Sequence, residues 1–80
     1  MRHLTVYIRR GCHLCTGMTQ ALERLRSELG IEFTEVDVDT SPDLVRLYDT
    51  RVPVLFAGDT EICHYFLEEG KLREHLQSCR

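Results

Sequence analysis

The sequence predicts an α/β domain, a four-stranded mixed sheet flanked by three helices in the order β-α-β-α-β-β-α. Three observations carry this reading. Leu4, Val6 and Ile8 alternate with Thr5 and Tyr7, the period of a strand. Met18, Leu22, Leu25 and Leu29 recur at spacings of four, three and four, the apolar stripe of an amphipathic helix. Toward the C-terminus, the apolar run Val54 to Ala57 and the segment Glu61 to Phe66 flank Gly58-Asp59, which reads as an antiparallel hairpin.

The first strand, Leu4 to Ile8, is fairly apolar on both faces, as a central strand should be. It ends at Arg9-Arg10-Gly11, and the helix that follows runs to Gly30, a residue suited to the left-handed position after a helix. A second strand is expected over residues 31–38. Its apolar phase slips between Ile31/Phe33 and Val36/Val38, so it starts late or carries a bulge. The helix between these strands makes their connection a right-handed parallel crossover. Ser41 and Pro42 suit the N-cap and first turn of a short helix bearing Leu44, Val45, Leu47 and Tyr48. That helix stops before Arg51-Val52-Pro53, because the residue ahead of a proline is pushed out of the helical region. The final helix carries Leu72, His75, Leu76 and Cys79 on one face, with Glu68 and Glu69 at its N-terminal end.

A chain of 80 residues is sized for one domain, spanning 1–80. Hydrophobic residues at 42% and charged residues at 29% are ordinary globular usage and exclude disorder, collagen repeats and heptad arrays. Ten Lys plus Arg against thirteen Asp plus Glu, a net charge of -3, lack the basic face that nucleic acid requires. No apolar run is long enough to span a membrane, and Met1-Arg2-His3 leads into a patterned strand rather than an apolar signal core. A monomer in the cytoplasm, with no membrane or nucleic-acid partner, is therefore expected. A reducing cytosol disfavours a static disulfide scaffold for the four cysteines.

Cys12-His13-Leu14-Cys15 falls where the first strand hands over to the first helix. A C-x-x-C there, within a small βαβ pattern, marks a redox-active dithiol. Helix N-termini present unpaired N–H groups and partial positive charge, which stabilise a thiolate on Cys12. Arg9 and Arg10 add local positive charge. Cys12, ahead of the helix, is the expected nucleophile. Cys15, one turn in, is the resolving thiol that displaces the substrate from the mixed disulfide.

The segment Val6 to Cys15 resembles small glutaredoxins of the thioredoxin superfamily: strand, basic residue three before the cysteine, glycine, then C-x-x-C. Val36-Asp37-Val38 is similar to that family's second-strand segment, and Arg51-Val52-Pro53 falls where the family has Thr-Val-Pro. The resemblance implies a thioredoxin-like, glutaredoxin-type fold and thiol-disulfide oxidoreductase activity in cell redox homeostasis. It also implies a cis Pro53, with Val52 and Pro53 orienting an extended substrate beside Cys12. Arg9, at the family's basic position, and His13, within the motif, join them as substrate-side residues. The implied partners are a disulfide-containing protein or glutathione-type substrate and a thiol reductase, with no bound cofactor. The sequence departs from the family at His13, which replaces the usual proline, and at Cys63-His64, which stand near the glycines that hold glutathione. Both departures weaken glutathione as the reductant.

Other readings compete. A zinc site would need Cys63 and His64 as further ligands, yet adjacent strand residues point to opposite faces. Cys12 as ligand of an iron-sulfur cluster, making the chain a metal carrier, is the stronger metal alternative. A non-catalytic adaptor with idle cysteines is the second alternative. Arg10 reads as a solvated residue, and Arg51 as either a loop arginine or a contact for an acidic substrate. Glu35, Asp37 and Asp39 read as the wet side of a strand. Cys63 reads as a small buried hydrophobe with a regulatory alternative, Cys79 as helix packing or a frayed end, and Met18 with the first-helix leucines as core.

Overall fold

A computed structural model of the chain describes residues 3–78. Strand β1 (His3–Ile8) buries Leu4 and Val6 on one face and leaves Thr5 and Tyr7 half-buried on the other. It therefore has apolar cover on both sides, and the sheet order β2-β1-β3-β4 confirms that it is central. Helix α1 (His13–Leu29) buries Cys15, Met18, Leu22 and Leu25, the expected stripe preceded by the second cysteine. Gly30 ends it at φ 64°, and its N–H donates to the Arg26 carbonyl, a left-handed cap open to glycine at little steric cost.

Strand β2 (Glu32–Asp37) runs parallel to β1 in unbroken register from His3↔Glu32 to Ile8↔Asp37. It is shorter at both ends than the expected 31–38, and it carries no bulge against β1. Ile31 and Val38, 1% and 0% exposed, sit just outside it. The phase slip marked the two strand ends: Ile31 precedes the pairing, and Val38 opens a 3-10 turn, Val38–Thr40. Helix α2 (Pro42–Tyr48) starts with Pro42 in its first turn, but the Ser41 side chain makes no capping hydrogen bond.

Strands β3 (Val54–Ala57) and β4 (Thr60–His64) form the hairpin, with β3 antiparallel to β1. The sheet's irregularity lies here. Leu55 pairs with Cys63 while Phe56 pairs with Glu61, leaving Ile62 as the extra residue of a bulge. Alternation breaks at that point, and consecutive Ile62 and Cys63 are both buried. Strand β4 ends at His64, two residues short of the expected Phe66. Tyr65 turns the chain at φ 65°, held by its N–H on the Pro53 carbonyl at 2.9 Å and its hydroxyl on the Thr50 carbonyl at 2.7 Å. Phe66 is left 66% exposed.

Helix α3 (Glu69–Ser78) buries Leu72 and Leu76; Cys79 lies outside the described residues. One core unites Leu4, Val6, Leu55, Ile62 and Cys63 of the sheet with Met18, Leu22 and Leu25 of α1 and Leu72 and Leu76 of α3, so both helices cover the same face. On the other face, α2 brings Tyr48 against Tyr7 and Phe56, with ring centroids 4.6 and 5.8 Å away. Cys12 leaves the sheet at the C-terminal end of β1, on the rim between these two layers.

Candidate functional site

Gly11 adopts φ 73° between β1 and α1, a left-handed turn that brings the following residue over the start of the helix. Cys12 then occupies the N-cap with extended backbone (φ -93°, ψ 109°). Its carbonyl accepts the Thr16 N–H at 3.2 Å, and its Sγ accepts the Cys15 N–H at 3.1 Å. The sulfur thus does what a serine or aspartate oxygen does at most N-caps, taking one of the orphan N–H groups of the first turn.

Cys12 is half-buried, whereas Cys15 is 3% exposed. Burial is the main reason that the Cys15 thiol is pushed up to about 12; a hydrogen bond to the Cys12 sulfur and the charge there act in the same direction, opposed by the Arg9 backbone. Cys15 therefore holds its proton at neutral pH. A single helix turn presents an accessible sulfur receiving a helix N–H and, behind it, a protonated, shielded thiol.

Beside the pair lies a cleft of about 360 Å³, lined by both cysteines and by Arg9, Arg10, His13 and Glu35 among others. Ile8, Gly11 and the helical threonines Thr16 and Thr19 complete its lining. His13 is exposed. Arg9 lines the cleft, but its guanidinium is engaged elsewhere: Nη2 lies 3.2 Å from Asp39 Oδ1, Nε donates to Asp39 Oδ2 at 3.3 Å, and Nη1 pairs with Asp49. Arg10 is 94% exposed, with its Nε 3.8 Å from Asp37.

Val52 and Pro53 are not among the residues lining this cleft. The Val52-Pro53 peptide is cis, and the Tyr7↔Val54 pairing sets these residues beside the end of β1 from which Cys12 departs. Among the described residues, no backbone hydrogen-bond partner is found for Val52. Arg51 pairs with Glu61, and that hydrogen bond is the main reason that the Glu61 carboxyl is held down. Cys63 sits in the core opposite Leu55 rather than on the cleft, and burial pushes its thiol up.

The sequence reading missed Glu35, Asp39 and Asp49 as neighbours of the motif. Glu35 belongs to β2, two positions before Asp37, the parallel partner of Ile8, and Asp49 follows α2, forty residues after the arginine it holds. No local pattern signals either contact. Thr16 and Thr19 were legible in principle, since one and two turns beyond Cys12 they share its helix face.

Comparison with known proteins agrees with this architecture. Residues 3–77 match the model of the Glutaredoxin-like domain (DUF836) family. An uncharacterised Mycobacterium tuberculosis protein is 31% identical over 70 residues, covering 81% of this chain and 72% of that protein. The solution structure of Ne2328 from Nitrosomonas europaea is 43% identical, with a TM-score of 0.84 over 92% of this chain and 89% of that one. The X-ray structure of Fasciola hepatica thioredoxin is 25% identical, with a TM-score of 0.62 over 98% of this chain and 80% of the other. With its parallel β1–β2 crossover, C-terminal hairpin and cysteine pair at the head of α1, the chain belongs to the Glutaredoxin-like domain family and has the thioredoxin-like fold.

Proposed function

We propose that the chain is a dithiol-disulfide oxidoreductase with Cys12 as nucleophile and Cys15 as resolving thiol. The observation that carries this reading is the Cys15 N–H on the half-buried Cys12 sulfur at 3.1 Å, with the Cys15 thiol buried and protonated behind it. A thiolate, not a thiol, attacks a disulfide, and the attacking sulfur here sits at the head of α1 with the Cys15 N–H donating to it. Cys12 thiolate attacks one sulfur of a disulfide R–S–S–R, forming Cys12–S–S–R and releasing RS⁻. Cys15 then loses its proton and attacks the Cys12 sulfur, closing the intramolecular disulfide and releasing the second RS⁻. Both leaving thiolates take up protons, one from Cys15 and one that Cys12 released to solvent on ionising, so counted from the dithiol the protein loses two electrons and two protons and the substrate gains them.

Val52, with its backbone unpaired at the same end of the sheet, supplies an edge against which an extended substrate pairs. A separate thiol reductant returns the cysteines to the dithiol form, as the reducing cytosol would favour. Among the described residues no helix is long and apolar enough to cross a membrane.

The test is intact mass after reaction of the reduced protein with bis(2-hydroxyethyl) disulfide. Loss of two hydrogens, mapped to a Cys12–Cys15 bond, is expected. Cys15→Ser should stop at a Cys12 adduct, and Cys12→Ser should not turn over. Dithiol turnover retained in Cys12→Ser sinks the assignment, and sulfur-to-iron absorbance in anaerobically purified protein would give Cys12 to a cluster instead.

A further inference from the structure

We infer that this site discriminates by charge, accepting disulfides flanked by cationic or neutral groups and disfavouring anionic ones such as oxidised glutathione, and that Asp39 and Asp49 set this preference. The inference rests on the proposed chemistry of Cys12 and adds its substrate class.

The cleft beside Cys12 has two arginines on its lining, and the one nearer the fold, Arg9, is not a free anion receptor. Arg9 spends its guanidinium on both oxygens of Asp39 and on one of Asp49. Three of its nitrogens are thereby committed, and a planar fork so occupied offers a second carboxylate little. Arg10 reaches toward Asp37. Glu35 lines the same cleft and has no ion-pair partner among the described residues. Around the cleft two guanidinium groups are thus set against the four carboxylates Glu35, Asp37, Asp39 and Asp49, a formal balance that favours cations over anions. Arg51, beside Val52, is held by Glu61.

An incoming disulfide must bring one sulfur in line with Cys12 Sγ and place its substituent over this rim. With glutathione the substituent carries net negative charge, and it meets the unpaired Glu35 while Arg9 is held by Asp39 and Asp49 and only the solvated Arg10 stands against them. With a cationic substituent the same carboxylates attract it and raise its local concentration, a bias that screening removes. The bond changes are the same in each case: Cys12–S–S–R forms, the substrate S–S bond breaks, and RS⁻ departs with the electron pair. Charge selection acts on encounter and positioning.

The experiment is stopped-flow oxidation of the reduced protein by cystamine, bis(2-hydroxyethyl) disulfide and oxidised glutathione. Each rate is divided by that of dithiothreitol with the same disulfide, which cancels leaving-group differences. At about 0.01 M salt, where the Debye length is about 30 Å, the normalised rates should fall in that order, with roughly ten-fold or more between the ends. At about 1 M salt, where it is about 3 Å, the spread should largely close. Asp39→Asn with Asp49→Asn frees Arg9, and the normalised glutathione rate should rise roughly five-fold for each charge removed. The salt dependence of the unmodified protein keeps the test decisive if that variant folds poorly. Equal normalised rates for the three disulfides, or glutathione fastest, would overturn the charge selection while leaving the oxidoreductase reading intact. Failure of all three to react would overturn that reading itself.

Discussion

Between Cys12 and Cys15 the decisive difference is access to water, and it separates two thiols three residues apart. Cys15 keeps its proton because ionising it would place charge in the core against a sulfur already close by. Iodoacetamide added to the reduced protein at pH 7 should therefore label Cys12 and leave Cys15 and Cys63 unmodified, as peptide mapping will show; rapid labelling of Cys15 would contradict its burial. The raised thiol also has a stability consequence. A group whose folded pKa lies above its unfolded value contributes stability that is complete below the unfolded value and is lost as pH rises through the folded one. For Cys15 that window runs from 9.0 to about 12, and Cys63 acts in the same direction. Urea midpoints of the reduced protein should hold between pH 7 and 8.5 and decline above pH 9, with a shallower decline in Cys15→Ser. Arg9 teaches a different lesson at this scale. Its place before the motif was visible in the sequence, but its two carboxylate partners come from segments thirty and forty residues away, so its charge could be read and its engagement could not.

Elements were legible where a local period dominates and obscure where a tertiary contact sets the end. Helix α1 announces itself by the stripe from Met18 to Leu25 and by Gly30, and β1 by its alternation. The ends of β2 were ambiguous because Ile31 and Val38 are buried without being paired in the strand, and apolar character reports burial, not hydrogen bonding. The β4 bulge and the turn at Tyr65 depend on the partner strand and on the Pro53 and Thr50 carbonyls, which no window of sequence contains. The turn into α1 yields a prediction at this scale. A Cβ on Gly11 would meet nothing within 4 Å, so at φ 73° only backbone strain opposes it. Gly11→Ala should therefore cost about 1–2 kcal/mol, and because the turn sets Cys12 over the helix start, the rate of disulfide attack should fall with it. Thermal unfolding and the mixed-disulfide assay check the two effects separately; an unchanged attack rate would show that the turn does not position the sulfur.

The two faces of the sheet are covered unequally, and stability should follow the cover. On one side α1 and α3 close a continuous core in which Leu22, Leu55 and Leu72 are 0% exposed. On the other, α2 has seven residues, none fully buried, and leaves Leu47 59% exposed. Truncating a side chain in the first layer opens a cavity, so Leu22→Ala should cost about 2–5 kcal/mol, a large share of the total for a domain this size. Leu47→Ala should stay within about 0.5 kcal/mol. The same asymmetry predicts how the native state opens. A short helix held by the Tyr7–Tyr48–Phe56 rings and by flanking ion pairs can detach while the α1/α3 core persists. Amides of α2 should then exchange with solvent through local opening, well before those of β1 and β3, which exchange only when the whole chain unfolds. Leu22→Ala should accelerate β1 and β3 while leaving α2 nearly unchanged, because α2 exchange does not pass through global unfolding. Protection of α2 equal to that of β1, moving in step with it in Leu22→Ala, would mean that the two layers unfold as one unit. The thin face would then be as tightly coupled to the core as the thick one.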